Sequence, residues 1–263
     1  MDLCIKDKAF LVVGGTAGMG LAAATALARD GAAVAVAGRD DARAEKAAAV
    51  VAEAGAAAAH PIVGDVAVEG GAAAVVAAAV DRLGGLDGIA VTTGVIGHEH
   101  FDVPDARWIE VFRDVLLGTT RVVEAALPHL LERRGTIVTT SAYSIRSPEI
   151  ARLPYATMKS AVATFTKGIA KTYGSRGVRA NCVAPGAIET DSLAATRARI
   201  SEQEGVPFDQ ALEWAMTEVW GLRVAMGRPG RPEEVGALMA FLLSPVAGYL
   251  NGVIVNIDGG TDF

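Results

Sequence analysis

Short runs of apolar and β-branched residues alternate with longer alanine-rich stretches along most of the chain. The short runs contain few polar positions, which is typical of strands buried on both faces, and the longer stretches have the apolar spacing of helices. This alternation predicts an α/β fold in which helices cover both faces of a parallel sheet. Strands are predicted near residues 10–13, 33–37, 59–63, 88–91, 136–140, 178–183 and 253–257. Helices are predicted near residues 18–29, 41–54, 70–83, 105–133, 155–173 and 232–243.

One segment, at about 187–228, departs from the alternation and contains an additional helical stretch. Its apolar stripe consists of Phe208, Leu212, Met216 and Trp220, four positions apart. The stripe has two interpretations: ordinary core packing, or a lid over a substrate cleft, since long insertions in compact domains are often functional. We expect residues 1–263 to form one domain with this helical insertion. Its two tryptophans, Trp214 and Trp220, favour a partly apolar substrate.

The composition excludes several classes of protein. Hydrophobic residues make up 51% and charged residues 21%, so the chain can bury a large core and is not expected to be disordered. The formal net charge of -6 argues against a nucleic-acid partner. No apolar run approaches the roughly 18 residues of a membrane span, and the N-terminal segment does not resemble a secretory signal. Cys4 and Cys182 are expected to be buried thiols in a reducing compartment, so we expect a cytoplasmic protein.

A glycine-rich turn follows the first predicted strand. Gly14, Gly18 and Gly20 stand between that strand and a helix, where a tight turn lets backbone N–H groups approach a phosphate at the helix N-terminus. The second predicted strand ends about 20 residues further on, as in dinucleotide-binding units. The turn therefore predicts a dinucleotide site, and the alternative is a tight turn that binds no ligand.

The residues after the second and third strands bear on the choice of dinucleotide. Gly38 and Arg39 stand where an NAD-selective site offers an acidic residue to the ribose, and a guanidinium there suits a 2′-phosphate. Arg39 therefore favours NADP, with NAD also possible; alternatively, Arg39 is a solvated turn residue. Asp65 either accepts a hydrogen bond from an adenine amino group or only starts the turn after its strand.

Tyr155 and Lys159 open an amphipathic helix after the fifth strand. Their separation of four positions places the phenol and the ammonium on one helix face. A tyrosine with its ordinary pKa of about 10 exchanges protons poorly at pH 7, whereas a cation about 4 Å away can lower that pKa by ~2–3 units. The pair predicts a tuned proton donor, although the same spacing also occurs on solvent-facing helices.

The chain as a whole resembles the short-chain dehydrogenase/reductase family. The matching pieces are the GxxxGxG spacing from Gly14, Asp65-Val66, YxxxK at 155–159, RANCVAPG at 179–186 followed by Thr190, RPEEV, and the closing NGVIVNIDGG. The resemblance implies a doubly wound Rossmann fold whose seven-stranded parallel sheet has the order 3-2-1-4-5-6-7. It also implies that Tyr155 is the catalytic acid/base, and that Lys159 bonds the nicotinamide ribose and depresses the pKa of the tyrosine.

The resemblance extends to the nicotinamide pocket and to assembly. It implies that Ile188 and Thr190 contact the nicotinamide amide and that Asn181, with the Pro185-Gly186 turn, shapes the same pocket. It also implies a homodimer through the helices at 105–133 and 155–173, or a homotetramer that adds the C-terminal strand. The expected cofactor-binding set is Gly14, Thr16, Gly18, Met19, Gly20, Arg39, Asp65, Val66, Gly94, Tyr155, Lys159, Pro185, Gly186, Ile188 and Thr190.

Two departures from the family pattern concern asparagines. After the fourth strand the chain reads VTTG, ending at Gly94, where the family usually reads NNAG, so the bracing asparagine side chains are missing. The helix position that usually supplies another asparagine is Val115. A water relay to Lys159 would then depend on backbone carbonyls, or on Asp114 if the helix is slightly rotated.

A third departure concerns the catalytic serine. The usual position falls on Ala142, so Ser141 or Ser144 is expected to hold the substrate oxygen, and we favour Ser141. Because a one-residue slip turns a side chain to the other face of a strand, the choice depends on local geometry. If neither serine reaches the oxygen, Thr140 or Tyr143 would have to orient it.

These residues predict an NAD(P)(H)-dependent oxidoreductase that interconverts a secondary alcohol and a ketone and binds a small-molecule carbonyl or alcohol substrate. A rival from another class is a dinucleotide-binding sensor or scaffold without redox turnover, which the altered asparagine and serine positions favour. Non-redox chemistry by the same tyrosine is a third interpretation. His98-Glu99-His100 lacks further ligands, so no metal is expected, and these residues are expected to rim the substrate cleft.

Overall fold

The computed structural model describes residues 2–94, 100–219, 221 and 223–261. The strands are β1 (Ala9–Val13), β2 (Ala33–Gly38), β3 (Ala58–Val63), β4 (Gly88–Val91), β5 (Thr136–Thr140), β6 (Arg179–Pro185) and β7 (Ile254–Ile257). They pair in parallel to form one sheet in the order 3-2-1-4-5-6-7. This confirms the predicted fold class and strand order.

Helices connect successive strands. They are α1 (Gly18–Arg29), α2 (Asp41–Glu53), α3 (Gly71–Leu83), α4 (Asp105–Val111), α5 (Gly118–Arg133), α6 (Leu153–Tyr173), α7 (Asp191–Glu204), α8 (Ala211–Trp214) and α9 (Pro232–Leu243). The helix predicted at 105–133 is interrupted by a π-helical turn, Phe112–Leu117, between α4 and α5. A π turn adds a residue to the helical repeat, so it changes which side chains face the sheet edge.

Two apolar cores cover the two faces of the sheet. One contains side chains of α1, α2 and α9, and the other contains side chains of α3, α5 and α6. The central strands β1, β4 and β5 are buried along their whole length, which explains the apolar sequences of β1 and β4, while β5 also buries three threonines. Because all strands are parallel, their carboxyl ends and the loops that carry chemistry meet at one edge of the sheet.

The insertion between β6 and α9 contains α7, α8 and a second π turn. Leu212 and Met216 are buried against Tyr143, which agrees with the packing interpretation of the stripe, while Phe208 is 53% exposed. Trp214 packs in a separate small cluster with Ile200, and Trp220 lies outside the described residues. The insertion therefore packs against the turn that carries Tyr143.

Cys182 is buried on β6, whereas Cys4 is exposed ahead of β1, so the expectation of two buried thiols is wrong for Cys4. Cys4 also has a positive φ of 55°, in a turn at the surface before the first strand. Among the described residues, no helix combines the length and the apolarity that crossing a membrane requires.

Candidate active site

A cleft of about 640 Å³ lies at the carboxyl ends of β1, β2 and β4. A recess of about 230 Å³ at the N-terminus of α1 borders it, and the two share the wall formed by Gly14 and Thr92. The members of the predicted cofactor set that line these two spaces are Gly14, Thr16, Gly18, Met19, Gly20, Arg39, Asp65, Val66, Gly94 and Thr190. The structure therefore brings the nucleotide end of the predicted site together along one edge of the sheet.

The glycine-rich turn is shaped for a close approach to a phosphate. Helix α1 begins at Gly18 with no side chain capping its N-terminus, so its first N–H groups have no partner within the helix. Gly14 has a φ of +80°, and a Cβ at Gly20 would overlap the Gly14 carbonyl. Only residues without a side chain fit both positions, and the cradle that results fits the pyrophosphate of a dinucleotide.

The threonine loop after β4 takes over the bracing role of the missing asparagines. The Thr92 hydroxyl donates to the Val13 carbonyl at 3.0 Å and ties the loop to the end of β1. The Thr93 carbonyl accepts a hydrogen bond from the Lys159 ammonium at 3.1 Å, and the Thr140 carbonyl accepts a second at 2.9 Å. Backbone carbonyls therefore hold Lys159 in place.

The π turn decides what occupies the position of the helix asparagine. Val115 is buried in the apolar cluster that contains Tyr155, whereas Asp114 lines the cleft. The Asp114 carboxylate accepts a hydrogen bond from Arg113 at 3.1 Å. The π turn thus exposes a carboxylate to the cleft, as a rotated helix would.

A further cavity, of about 90 Å³, is lined by three of the four predicted catalytic residues, Ser141, Ser144 and Tyr155. Its lining is Met19, Ser141, Ala142, Tyr143, Ser144, Arg152, Tyr155, Pro185, Gly186, Ile188 and Thr190. Tyr155 is 8% exposed, and the ammonium nitrogen of Lys159 lies 5.6 Å from the centre of its ring. Ile188 and Thr190, the candidates for contact with the nicotinamide, line the same cavity as Tyr155.

The two candidate serines differ in what their hydroxyls contact. Ser141 follows β5 directly, and its hydroxyl donates to the Lys159 carbonyl at 2.9 Å. Ser144 lies in the 3₁₀ turn Tyr143–Ile145, and its buried hydroxyl has no hydrogen-bond partner among the described residues. A buried polar group without a partner is rare unless a ligand satisfies it. The geometry therefore favours Ser144, which reverses the order of preference expected from the sequence.

The two fallback residues already have partners. The Thr140 hydroxyl donates to the Val91 carbonyl at 3.0 Å and so ties β5 to β4. The Tyr143 hydroxyl donates to the Glu149 carboxylate at 3.1 Å and accepts a hydrogen bond from Arg152 at 2.8 Å. Arg152 is a cavity residue that the sequence analysis missed; its position three residues before Tyr155 was the available signal.

The pKa shifts of Tyr155 and Lys159 differ from the expectation that Lys159 lowers the pKa of the tyrosine. Burial raises the pKa of Tyr155 well above its ordinary value, and the charge of Arg152 opposes this shift. Burial also lowers the pKa of Lys159 from 10.5 to about 8. The predicted fall in the Tyr155 pKa is therefore wrong for this arrangement, because removing the phenolate from water outweighs the attraction of a nearby cation.

Two arginines line the 640 Å³ cleft at the end of β2. Arg39 follows β2, and Arg43, which the sequence analysis did not consider, lies four positions later in the first turn of α2. The Asp40 carboxylate between them caps α2 by accepting from the Arg43 backbone N–H. Asp65 likewise accepts from the Ala67 N–H at 2.9 Å, so it starts its turn and also lines the cleft.

Asn181, which was expected to shape the nicotinamide pocket, makes its hydrogen bonds to the backbone before β7. It is fully buried within β6, where its side chain donates to the Leu250 carbonyl and accepts from the Val253 N–H. It therefore fixes the loop that leads into β7.

In the candidate metal-binding motif His98-Glu99-His100, His98 and Glu99 lie outside the described residues. Elsewhere in the described chain, no group of three or more potential metal ligands comes together.

Comparisons with known proteins agree with this architecture. A family model described as "Enoyl-(Acyl carrier protein) reductase" matches residues 14–262. The chain is 31% identical over 260 residues to 2-(S)-hydroxypropyl-CoM dehydrogenase 3 of Xanthobacter autotrophicus, covering 97% of each protein. It is 30% identical over 256 residues to meso-2,3-butanediol dehydrogenase of Serratia marcescens, covering 97% of this chain and 94% of that protein.

A solved structure is similar to this chain over almost its whole length. The structure of L-sorbose reductase from Gluconobacter frateurii, complexed with NADPH and L-sorbose, has a TM-score of 0.93 at 26% identity and covers 99% of this chain and 98% of that one. These matches span the sheet, the glycine-rich turn and the tyrosine cavity together. The chain therefore belongs to the short-chain dehydrogenase/reductase family, whose members act on CH–OH or carbonyl groups with NAD(P).

Proposed function

We propose that the protein interconverts a secondary alcohol and a ketone with Tyr155 as acid/base, using NADP(H) in preference to NAD(H). The observation that carries the proposal is the small cavity shared by the Tyr155 side chain and the unpartnered hydroxyl of Ser144. A carbonyl or alcohol oxygen in this cavity would satisfy the serine. The relatives named for butanediol and sorbose, whose substrates carry secondary alcohols, support the same reaction class.

Each residue of the cavity has a distinct role. Ser144 donates a hydrogen bond to the substrate oxygen and aligns it, and Tyr155 gives its proton to that oxygen during reduction. In oxidation the Tyr155 phenolate takes the alcohol proton back. The nicotinamide, when bound, supplies or accepts the hydride. Lys159, held by the Thr93 and Thr140 carbonyls, presents its ammonium to the ribose and to the tyrosine.

The cofactor preference rests on the pair Arg39 and Arg43. Both guanidinium groups border the cleft beyond β2, where the adenosine ribose lies in proteins of this fold. Two cations suit a doubly charged 2′-phosphate, whereas the usual acidic partner of an unmodified ribose is missing at position 39. The relative solved with NADPH supports this preference.

The substrate is proposed to be small and partly apolar. Met19, Ile188 and Pro185 supply apolar surface to the 90 Å³ cavity, and Arg152 is its charged member. Trp214 packs within the insertion, so it does not supply this apolar surface.

We also propose a homodimer or homotetramer. Strand β7 is less buried than the inner strands, and its Ile254 is 46% exposed, which is unusual for a parallel sheet unless a second surface covers it. The elution volume in gel filtration distinguishes these assemblies from a monomer.

The test of the proposed function follows NADPH absorbance with a panel of ketones and the reverse reaction with secondary alcohols. Wild type is expected to turn over at least one substrate, and Tyr155→Phe to lose turnover by about 10²-fold or more while still binding NADPH. Retained turnover in Tyr155→Phe would contradict the assignment of the acid/base. Tight NADPH binding without turnover across the panel would instead favour the rival sensor or scaffold.

A further inference from the structure

Arg152 is the charged side chain that lines the catalytic cavity. It ends the 3₁₀ turn Ile150–Arg152, which leads directly into α6, and Tyr155 lies three positions further on. The side chain is 11% exposed, so its charge is poorly screened by water. Its position in the cavity wall therefore makes it an electrostatic neighbour of the reacting hydroxyl.

A hydrogen-bonded chain fixes the guanidinium. Its Nη1 donates to the Tyr143 hydroxyl at 2.8 Å, and that hydroxyl donates to the Glu149 carboxylate at 3.1 Å. The Arg152 Nε lies 3.8 Å from the same carboxylate. Glu149 is more exposed than Arg152, so water screens the negative end of the chain more than the positive end.

The other surroundings of Tyr155 are mostly uncharged. In the described part of the chain, its neighbours in the apolar cluster and in the cavity include Val111, Val115, Ala142, Tyr143, Ser144, Val162, Pro185, Gly186, Ile188 and Thr190. Among the described residues, the titratable or charged groups nearby are Tyr143, Arg152 and Lys159, with Glu149 behind Tyr143. Cys182 lies beside Lys159, and Asp114 borders the neighbouring cleft.

The two cations differ in how well they keep their charge. Burial disfavours the charged form of Lys159 and lowers its pKa to about 8. A guanidinium remains protonated at every accessible pH. Burial raises the pKa of Tyr155, and the charge of Arg152 lowers it. Arg152 is therefore a positive charge in the cavity wall that favours the Tyr155 phenolate.

We propose that Arg152 is a positioning residue that holds positive potential at the Tyr155 hydroxyl and so makes the phenolate accessible for alcohol oxidation. The inference rests on the proposed role of Tyr155. In the oxidative step the phenolate takes the O–H proton of the alcohol, while the C–H hydride passes to the oxidised nicotinamide, leaving a ketone and a neutral phenol. Tyr143 and Glu149 orient the guanidinium for this purpose.

The test compares pH profiles of kcat for alcohol oxidation in wild type, Arg152→Met, Arg152→Lys and Glu149→Gln. Removing the charge in Arg152→Met is expected to move the alkaline inflection up by about one pH unit, with about a tenfold loss of rate below it. Arg152→Lys is expected to restore most of the shift. Glu149→Gln removes the opposing charge and is expected to move the inflection down.

A direct titration separates this inference from the proposed function. The phenolate absorbance of the NADP⁺-bound enzyme, taken as wild type minus Tyr155→Phe, reports the same inflection without turnover. An unmoved inflection in Arg152→Met, with a uniform loss of rate, would show that Arg152 is structural only. If Arg152→Met does not fold, an inflection in Glu149→Gln that stays in place or moves up overturns the proposal. Activity that survives in Tyr155→Phe would instead overturn the proposed function.

Discussion

Replacing Lys159 with methionine tests how strongly the active site destabilises the fold. The lysine is almost completely buried, and its ammonium contacts two backbone carbonyl oxygens and, in the described part of the chain, no carboxylate. Burial without a counter-ion is what lowers its pKa from 10.5 to about 8. The folded state therefore binds this proton more weakly than the unfolded state does.

The size of the effect follows from the difference between the two pKa values. Below pH 8 both states carry the charge, and its burial costs roughly 3 kcal/mol relative to the neutral amine. Between about pH 8 and 10.5 the folded state releases the proton while the unfolded state keeps it, so stability rises with pH. Between pH 7 and pH 10 the contribution of Lys159 to the unfolding free energy is expected to rise by roughly 2–3 kcal/mol.

The assay is urea unfolding at several pH values between 7 and 10 for wild type and Lys159→Met. The lost hydrogen bonds to Thr93 and Thr140 add an offset that does not depend on pH. Burial raises the pKa of the Cys182 thiol and of Tyr155, which lowers stability at high pH, but both groups are present in each protein and largely cancel in the difference.

The matched control is Lys171→Met, which removes an exposed lysine from the same helix. The difference in unfolding free energy between Lys171→Met and wild type is expected not to change with pH. If the difference in unfolding free energy between Lys159→Met and wild type also did not change with pH, that result would refute the reasoning, because burial would then not destabilise the ammonium in the folded state. A difference that falls with pH would mean that a partner stabilises the charge.

Two further predictions concern the oxygen-binding serine and the cofactor. Ser144→Ala is expected to lower kcat by about 10²-fold, because it removes the donor to the substrate oxygen. Ser141→Ala is expected to lower the free energy of unfolding by about 1 kcal/mol and to leave kcat within a few-fold of wild type. Steady-state kinetics and urea unfolding measure the two effects, and the reverse pattern would assign the substrate oxygen to Ser141. Arg39→Ala is expected to raise the Kd for NADPH by roughly 10-fold or more with little change for NADH, and Arg43→Ala to act in the same direction. Fluorescence titration measures both affinities, and an unchanged preference in the two variants would remove the arginines from the 2′-phosphate site.

Features that depend on neighbouring residues were predictable from the sequence. The alternation of buried runs and amphipathic stretches sets the strands and helices, because side-chain periodicity is a local property. The glycines from Gly14 to Gly20 mark the phosphate turn because their lack of a side chain has a local steric meaning. The four-residue spacing of Tyr155 and Lys159 places them on one helix face for the same reason.

Features that depend on distant contacts were decided by the tertiary structure. The hydroxyl of Ser141 bonds the backbone of α6, whereas Ser144 lines the cavity with a hydroxyl that no described residue satisfies, and no pattern around residue 141 indicates this. Asn181 bonds the loop before β7 although its motif suggested the nicotinamide pocket. The sign of the Tyr155 pKa shift depends on the packing that excludes water, and Arg152 enters the cavity through contacts with Tyr143. Hydrogen-bond partners and desolvation are properties of a packed interior, so they exist only once the chain has folded.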